Sequence, residues 1–146
     1  MSNSELNNYE ISNYDYQFLI DNFTKINKTT SELATLYNNI GYNQIKMKNY
    51  SEAYKNIEKA LILDENLSFI WDSKGELQFM KSDFTGSIKS MTKAISINSN
   101  SENSYYIRGL SYLKIGKLIE GCNDLKKAKE LGVKEMDKDY YKKCTK

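Results

Sequence analysis

Apolar residues recur along most of the chain at intervals of three and four, and short polar stretches interrupt them at regular distances. The segments NYSEAYKNIEKALILDEN at 49–66, DFTGSIKSMTKAISINSN at 83–100 and KLIEGCNDLKKAKELGVK at 117–134 share this arrangement, each starting 34 residues after the one before it. A spacing of three and four residues is that of one helix face. The pattern therefore predicts three tandem repeats, at 34–67, 68–101 and 102–135, each a pair of helices joined by a polar turn.

Eight columns of the aligned repeats keep their chemical character, although few residues are identical. The fourth position is aromatic, the eighth is glycine, the seventeenth is large and apolar, the twentieth is small, the twenty-fourth is apolar and the twenty-seventh is alanine. The twenty-eighth and thirtieth positions are less uniform. In that order the columns hold Tyr37, Trp71 and Tyr105; Gly41, Gly75 and Gly109; Tyr50, Phe84 and Leu118; Ala53, Ser87 and Gly121; Ile57, Met91 and Leu125; Ala60, Ala94 and Ala128; Leu61, Ile95 and Lys129; Leu63, Ile97 and Leu131.

The small residues have a steric explanation. Positions 4, 8 and 11 share a face of the first helix, and positions 20, 24 and 27 share a face of the second. A glycine inside a helix costs about 1 kcal/mol relative to alanine, so three glycines in one register indicate a packing requirement. We expect two antiparallel backbones to approach closely at these positions, with the larger side chains filling the space around the contact.

These columns resemble the tetratricopeptide repeat (TPR), a family with a period of 34 residues, over residues 34–135. The resemblance implies an all-α fold, a right-handed superhelical α-solenoid of antiparallel helix pairs, with about eight helices in this chain. Two features depart from the family pattern. The seventh position, usually leucine, is Ile40, Lys74 and Arg108, and no proline stands near position 32. We expect Lys74 and Arg108 to lay their stems on the apolar face and hold their charges at its rim.

The two ends of the chain predict covering elements, because a stack of repeats must shield its last apolar faces. At the front, 1–12 reads as a flexible leader and 13–33 as a degenerate leading helix in the register of a second repeat helix. At the back, 134–146 reads as a capping helix. The apolar residues that support these two helices are Tyr16, Leu19, Phe23 and Ile26, and Val133, Met136, Tyr140 and Cys144.

Composition indicates a globular protein that is poorly provided with groups for catalysis or cofactor binding. The chain has no histidine, so the usual general base and metal ligand are missing, and we expect no enzymatic activity, no cofactor and no metal site. A net charge of +2 does not favour nucleic acid, and no apolar run is long enough to span a bilayer. The segment from Lys126 to Lys146 contains eight lysines and four acidic residues. We interpret it as a solvated helix, with a weak nucleic-acid or membrane-surface patch as the alternative.

Cys122 and Cys144 are expected to lie level with each other on neighbouring antiparallel helices, since each is about ten residues from the Leu131–Gly132 turn. A disulfide is geometrically possible. Two packed thiols are the favoured interpretation for a cytoplasmic protein, and no signal peptide is visible at the start of the sequence. Export would follow if a signal had been removed and the two cysteines were bonded.

The resemblance also implies a ligand groove, lined by positions 2, 5, 9, 12 and 13 of each first helix. A mixture of aromatic, aliphatic, amide and charged side chains suits an extended peptide or a partner helix. Some of these residues could instead only pack inside the fold. The positions hold Thr35, Asn38, Tyr42, Ile45 and Lys46; Phe69, Asp72, Glu76, Phe79 and Met80; Asn103, Tyr106, Leu110, Leu113 and Lys114.

One subclass of the family binds the carboxylate tail of a chaperone through Lys, Asn and Arg at fixed positions. Here those positions hold Asn38, Tyr42, Ser73, Asn103 and Ile107, so this binding mode is not expected. The leading hypothesis is a non-catalytic scaffold that holds a protein or peptide segment. The alternatives are a small secretion-type chaperone, and a structural homo-oligomer in which the tyrosine-rich leader fills a groove.

Overall fold

The computed structural model describes residues 2–23, 29–134, 136, 142 and 144. Every regular element in this part of the chain is an α-helix, and seven helices have defined bounds. They are α1 (Asn3–Asp21), α2 (Thr30–Lys46), α3 (Tyr50–Leu63), α4 (Ser68–Met80), α5 (Phe84–Ile97), α6 (Glu102–Lys114) and α7 (Leu118–Leu131). The all-α prediction is confirmed, and the count of about eight helices was close. Among the described helices, none combines the length and the apolar character that a bilayer crossing requires.

The chain divides into two compact units, residues 1–73 and 74–146. In the first unit, α1 packs on α2 and α2 packs on α3. In the second unit, α5 packs on α6 and α6 packs on α7. Helix α4 begins in the first unit and ends in the second. Each unit therefore contains at least one complete helix hairpin of the predicted kind.

The repeated glycines lie in the helix-to-helix contacts, as predicted. A Cβ on Gly41 would come within 2.8 Å of the Ile57 side chain and 3.2 Å of the Ala53 carbonyl oxygen, both on α3. A Cβ on Gly109 would lie 3.0 Å from the carbonyl oxygen of Gly121 on α7. The small and apolar residues of the second helices are all buried at these contacts. They are Ala53, Ser87 and Gly121; Ile57, Met91 and Leu125; Ala60, Ala94 and Ala128.

Each helix hairpin turns through one residue in the left-handed backbone region, at the fifteenth position of the repeat. Lys48 has φ 61°, Ser82 has φ 63° and Gly116 has φ 82°. The same hydrogen bond follows in each turn, from a backbone N–H to the carbonyl five residues earlier, which closes the end of the first helix. These bonds join Asn49 to Gln44 at 2.8 Å, Asp83 to Gln78 at 2.8 Å and Lys117 to Tyr112 at 2.9 Å.

The leading helix differs from its predicted bounds of 13–33. It begins at Asn3, because Ser2 and Glu5 form a capping box that satisfies backbone N–H groups of the first turn. It ends at Asp21, and the first repeat helix already begins at Thr30, where Thr29 and Glu32 form a second capping box. The segment predicted as a flexible leader therefore forms the first half of α1.

The predicted face of α1 is turned inward only in part. Tyr16, Leu19 and Phe23 are half-buried, and Ile26 lies outside the described residues. Asn13, on the same side of the helix, accepts a hydrogen bond of 2.9 Å from Asn43 of α2. Because no residue of α1 is fully buried, this helix covers α2 without acquiring a core of its own.

The predicted capping helix, 134–146, falls largely outside the described residues, including Tyr140. Helix α7 ends at Leu131 because Gly132 adopts φ 123°, a conformation that suits glycine. Val133 and Met136 carry no helical structure, contrary to the prediction that they belong to the cap, whereas Cys144 is helical.

Arg108 does not hold its charge at a rim, as its position in the repeat had predicted. Its guanidinium instead bonds to Asp124 on α7, and both side chains are mostly buried. The reason is that position 23 of the third repeat carries a carboxylate, whereas the earlier repeats have Asn56 and Ser90 there.

Candidate functional site

In the first unit, the predicted ligand-binding positions of α2 divide between surface and interior. Tyr42 is exposed, and the Nζ atom of Lys46 lies 4.5 Å from the centre of its ring, one helical turn away. Asn38 and Ile45 are buried. The Oδ1 atom of Asn38 has no hydrogen-bond partner within the described residues. The accessible part of this face is therefore a tyrosine ring with a cation over it.

The start of α4 adds a second aromatic group to the surface of the first unit. Phe69 is exposed and Asp72 is half-buried. Ser73, one of the positions that a carboxylate-binding relative would need, donates a hydrogen bond of 3.1 Å to the Phe69 carbonyl oxygen. This serine hydroxyl is thus engaged within its own helix.

In the second unit, the remainder of α4 presents one flexible apolar side chain. Met80 is exposed, whereas Glu76 is buried. Phe79 packs edge-to-face on Phe84, with ring centres 5.6 Å apart, at the turn into α5. The Phe79 ring therefore has a structural role in the hairpin in addition to any ligand contact.

Helix α6 carries the last five predicted positions, all of them in the second unit. Asn103 and Lys114 are exposed, Tyr106 and Leu113 are half-buried, and Leu110 is buried. A Cβ on Gly121 would come within 2.7 Å of Leu113, so this leucine packs on α7. The accessible part of the α6 face is consequently more polar than that of α2 and α4.

Arg108 and Asp124 form a mostly buried ion pair between α6 and α7. Burial disfavours the charge on Arg108, but hydrogen bonds to Asp124 and its negative charge outweigh that effect and raise the pKa of the guanidinium. The described residues contain no group of three or more His, Cys, Asp and Glu side chains placed to hold a metal ion.

Cys122 and Cys144 are joined by a disulfide, with 5.3 Å between their Cα atoms. The favoured expectation of two packed thiols therefore differs from the structure, although the predicted level placement agrees with it. A cavity of about 550 Å³ opens beside the bond. The described residues that line it are Cys122, Asn123, Leu125, Lys126, Lys129, Glu130 and Cys144.

Sequence reasoning missed one exposed apolar surface, on α1. Ile11, Tyr14 and Phe18 are all exposed, whereas the predicted apolar face of α1 is the one that meets the repeats. Their spacing of i, i+3 and i+7 was visible in the sequence and would have indicated a second apolar stripe.

The sequence of residues 34–67 matches the tetratricopeptide repeat. These bounds are those of the first predicted repeat, and the buried glycine and alanine columns continue through the next two. Residues 34–67 are therefore a tetratricopeptide repeat by sequence. A search of curated protein sequences gave no significant match.

Solved TPR domains share the fold of this chain at low sequence identity. The TPR domain of Arabidopsis OM64 has a TM-score of 0.72 at 17% identity, and the match covers 80% of this chain and 94% of that one. The first TPR of Spaghetti (RPAP3), bound to the HSP90 peptide SRMEEVD, has a TM-score of 0.71 at 19% identity, covering 79% and 90%. The N-terminal domain of STI-1 from C. elegans has a TM-score of 0.66 at 16% identity, covering 81% and 96%.

Proposed function

We propose that this TPR protein is a non-catalytic interaction module that binds a protein or peptide segment through the exposed faces of its first repeat helices. The observation that carries the proposal is the exposure of Tyr42 and Phe69 in the first unit and of Met80 in the second. These large side chains lie at the ligand-binding positions that the family resemblance implies. Aromatic side chains and methionine supply contact energy in recognition surfaces of this kind.

The groups around these anchors favour a ligand with apolar side chains and free backbone N–H groups. The buried Oδ1 of Asn38 lacks a partner among the described residues, and an unpaired buried acceptor costs about 1–3 kcal/mol. A rotation of the amide toward the surface would allow a ligand N–H to pair with it. Lys46, over the Tyr42 ring, supplies one positive charge beside the same face.

An acidic chaperone tail is not the ligand that we propose, although the Spaghetti (RPAP3) domain is bound to an HSP90 peptide. Of the five positions that such a clamp uses, Asn38 and Ile107 are buried, and the Ser73 hydroxyl bonds within its own helix. None of the five is basic in this sequence. A ligand held by its apolar side chains fits these positions better.

The proposal is tested by selecting peptides from a random 12-residue library with the wild-type protein and measuring their affinities by fluorescence polarisation. Each unit is tested by its own double variant. The variant of the first unit is Tyr42→Ala with Phe69→Ala, and that of the second unit is Met80→Ala with Tyr106→Ala. Removing an anchor residue typically costs more than 1.4 kcal/mol, so we expect an affinity loss of roughly tenfold or more in at least one pair.

The matched control is Ile62→Ala on α3, a second repeat helix, where the side chain is 83% exposed. This substitution removes a comparable apolar surface away from the first helices and is expected to leave peptide affinity unchanged. Equal binding of the selected peptides to wild type and to both paired variants would overturn the assignment of these faces.

A further inference from the structure

Helix α1 carries an apolar stripe that is exposed in the structure. Ile11, Tyr14 and Phe18 lie at i, i+3 and i+7 and share one face of the helix, and the Tyr14 side chain is 75% exposed. Asn13, which bonds to Asn43 of α2, points to the other side of the helix. A shallow depression of about 90 Å³ lies beside Tyr14 and Phe18 and is also lined by Gln17 and Asp21.

The stripe lies in an acidic setting. Within Asn3–Asp21 the sequence has no Lys or Arg and carries Glu5, Glu10, Asp15 and Asp21, a formal charge of −4. Three of these acids are one turn from a stripe residue: Glu10 from Tyr14, Asp15 from both Ile11 and Phe18, and Asp21 from Phe18. A partner for this face therefore needs apolar side chains within a positively charged rim.

The turn between α6 and α7 offers such a surface. Ile115, Leu118 and Ile119 are exposed there within five residues, and Ile119 is 75% exposed. Lys114 precedes them, Lys117 stands between Ile115 and Leu118, and Glu120 lies 3.8 Å from Lys117. The formal charge of the segment from Lys114 to Glu120 is +1. We call these three apolar residues and their lysines the turn patch.

We propose that the α1 stripe of one chain binds the turn patch of a second copy of this chain. The two surfaces match in chemistry, since each is an exposed apolar cluster and their surrounding charges are of opposite sign. They are different surfaces, so the contact is heterologous: in a pair, one copy keeps its turn patch free and the other keeps its stripe free for a further neighbour. The small size of both clusters makes the association weak and concentration-dependent.

The inference goes beyond the proposed ligand binding, because neither surface includes a predicted ligand-binding position other than Lys114. Tyr42→Ala with Phe69→Ala should therefore leave self-association unchanged. Conversely, loss of the α1 stripe should leave peptide affinity unchanged, so the two proposals can fail independently.

The experiment is sedimentation velocity of the full chain from about 10 µM to about 1 mM, the range in which small interfaces associate. The stripe variant is Tyr14→Ser with Phe18→Ser, and the patch variant is Lys117→Glu with Ile119→Ser. The matched control is Tyr54→Ser with Ile62→Ser, which removes one exposed aromatic and one exposed aliphatic side chain from α3. Circular dichroism verifies that each variant keeps its helices.

We expect the wild type and the control to associate with concentration, and the stripe and patch variants each to lose association by at least roughly tenfold. An equimolar mixture of the two variants should form a 1:1 dimer and stop there, because one partner retains only the patch and the other only the stripe. A second stripe variant, Asp15→Lys with Asp21→Lys, alters charge alone and should weaken association more at low salt than at high salt.

Three results would overturn the proposal. A wild type that remains monomeric throughout the concentration range shows that the surfaces do not meet. If the stripe variant loses association and the patch variant still associates like the wild type, the contact is a symmetric one between two α1 helices. Failure of the mixed variants to pair excludes the heterologous arrangement.

Discussion

Arg108 on α6 holds the carboxylate of Asp124 on α7 with two parallel hydrogen bonds, of 2.7 Å from Nε and 2.9 Å from Nη2. The remaining terminal nitrogen, Nη1, donates a bond of 3.1 Å to the hydroxyl of Thr92 on α5. One side chain thus connects three successive helices of the second unit. Charge-assisted hydrogen bonds in this bidentate geometry are among the strong hydrogen bonds of proteins.

Removing one member of this pair should destabilise the second unit strongly. In Asp124→Ala the guanidinium stays largely buried without its counter-charge, and we expect a loss of about 3 kcal/mol in the free energy of unfolding. The measurement is urea denaturation followed by circular dichroism. Glu52→Ala is the control, because its pair with Lys55 has the same 2.7 Å separation but is exposed, and its loss should stay below about 1 kcal/mol. Similar losses in the two variants would contradict the argument.

Alanine at the three repeat glycines should have graded effects. Each substitution gains about 1 kcal/mol of helix propensity. At Gly75 the three atoms nearest to the new Cβ all belong to the Met91 side chain, which is flexible, so Gly75→Ala should be close to neutral. At Gly109 it meets the backbone oxygen of Gly121, which cannot move aside, so Gly109→Ala should destabilise by about 1–2 kcal/mol net of that gain.

Gly41→Ala should fall between these two, since its Cβ would meet both the Ile57 side chain and, at 3.2 Å, a backbone oxygen. The order of thermal midpoints, Gly75→Ala above Gly41→Ala above Gly109→Ala, is the result to measure. A Gly109→Ala protein as stable as the wild type would show that the helices can separate there without cost.

Glycine at the two strained hairpin turns should stabilise the protein. Lys48 and Ser82 have positive φ, which is unfavourable for a residue with a side chain, and Gly116 occupies the equivalent place in the third hairpin. Lys48→Gly and Ser82→Gly should each raise the free energy of unfolding by up to about 1 kcal/mol, partly offset by the greater freedom of glycine in the unfolded chain. The control is Lys55→Gly in the middle of α3. This substitution should lower the free energy of unfolding by about 1 kcal/mol. No gain at either turn would contradict the conformational argument.

Asp64 should give the first unit a stabilising contribution that acid removes. Hydrogen bonds from the Ser31 hydroxyl and from the Asn66 backbone N–H hold the pKa of the Asp64 carboxyl below its ordinary value. A lowered folded-state pKa stabilises the fold above the unfolded pKa of about 4, and that stability is lost as the pH falls through the folded value. Wild type should therefore exceed Asp64→Asn in stability at neutral pH, and the two should converge in acid.

The measurement is the urea midpoint of both proteins from about pH 7 to about pH 2.5, the range over which a lowered carboxyl pKa is titrated. Ser31→Ala should reproduce part of the difference, because the Asn66 N–H still donates to the carboxylate in that variant. A difference between wild type and Asp64→Asn that persists unchanged in acid would exclude this carboxylate as its source.

Opening the disulfide between Cys122 and Cys144 should lower stability through the chain entropy of a 22-residue separation. The loop model gives up to about 3 kcal/mol for a loop of this length. Cys122→Ser with Cys144→Ser is compared with wild type by thermal denaturation, each with and without a reductant. The reductant should lower the midpoint of the wild type only. Two free thiols in the unreduced wild type would contradict the bond.

Several elements could be predicted from the sequence because local rules govern them. Helices α2 to α7 follow from apolar spacing, and the glycine and alanine columns follow from the steric demand of a close backbone contact, which recurs with the same period as the repeat. The start of α1 is also a local feature, since the capping box of Ser2 and Glu5 defines it. The leader sequence is largely polar, so apolar spacing does not predict a helix there.

The candidate site was predictable only as a set of positions. The register of the family places Asn38 and Tyr42 on the same helix face, yet one is buried and the other exposed, because burial depends on which neighbouring elements lie over each side chain. Sequence spacing places side chains around a helix axis and carries no information about what covers them.

By itself, the sequence determined that this is an all-helical repeat protein, since a period of 34 residues with small side chains in one register has few other physical solutions. Only the tertiary structure decided how distant groups meet: that Arg108 turns inward to Asp124, that Cys122 and Cys144 are bonded, and that the stripe of Ile11, Tyr14 and Phe18 remains uncovered. The reason is that helix periodicity is encoded in neighbouring residues, whereas ion pairs, disulfides and exposed faces depend on contacts between residues far apart in the chain.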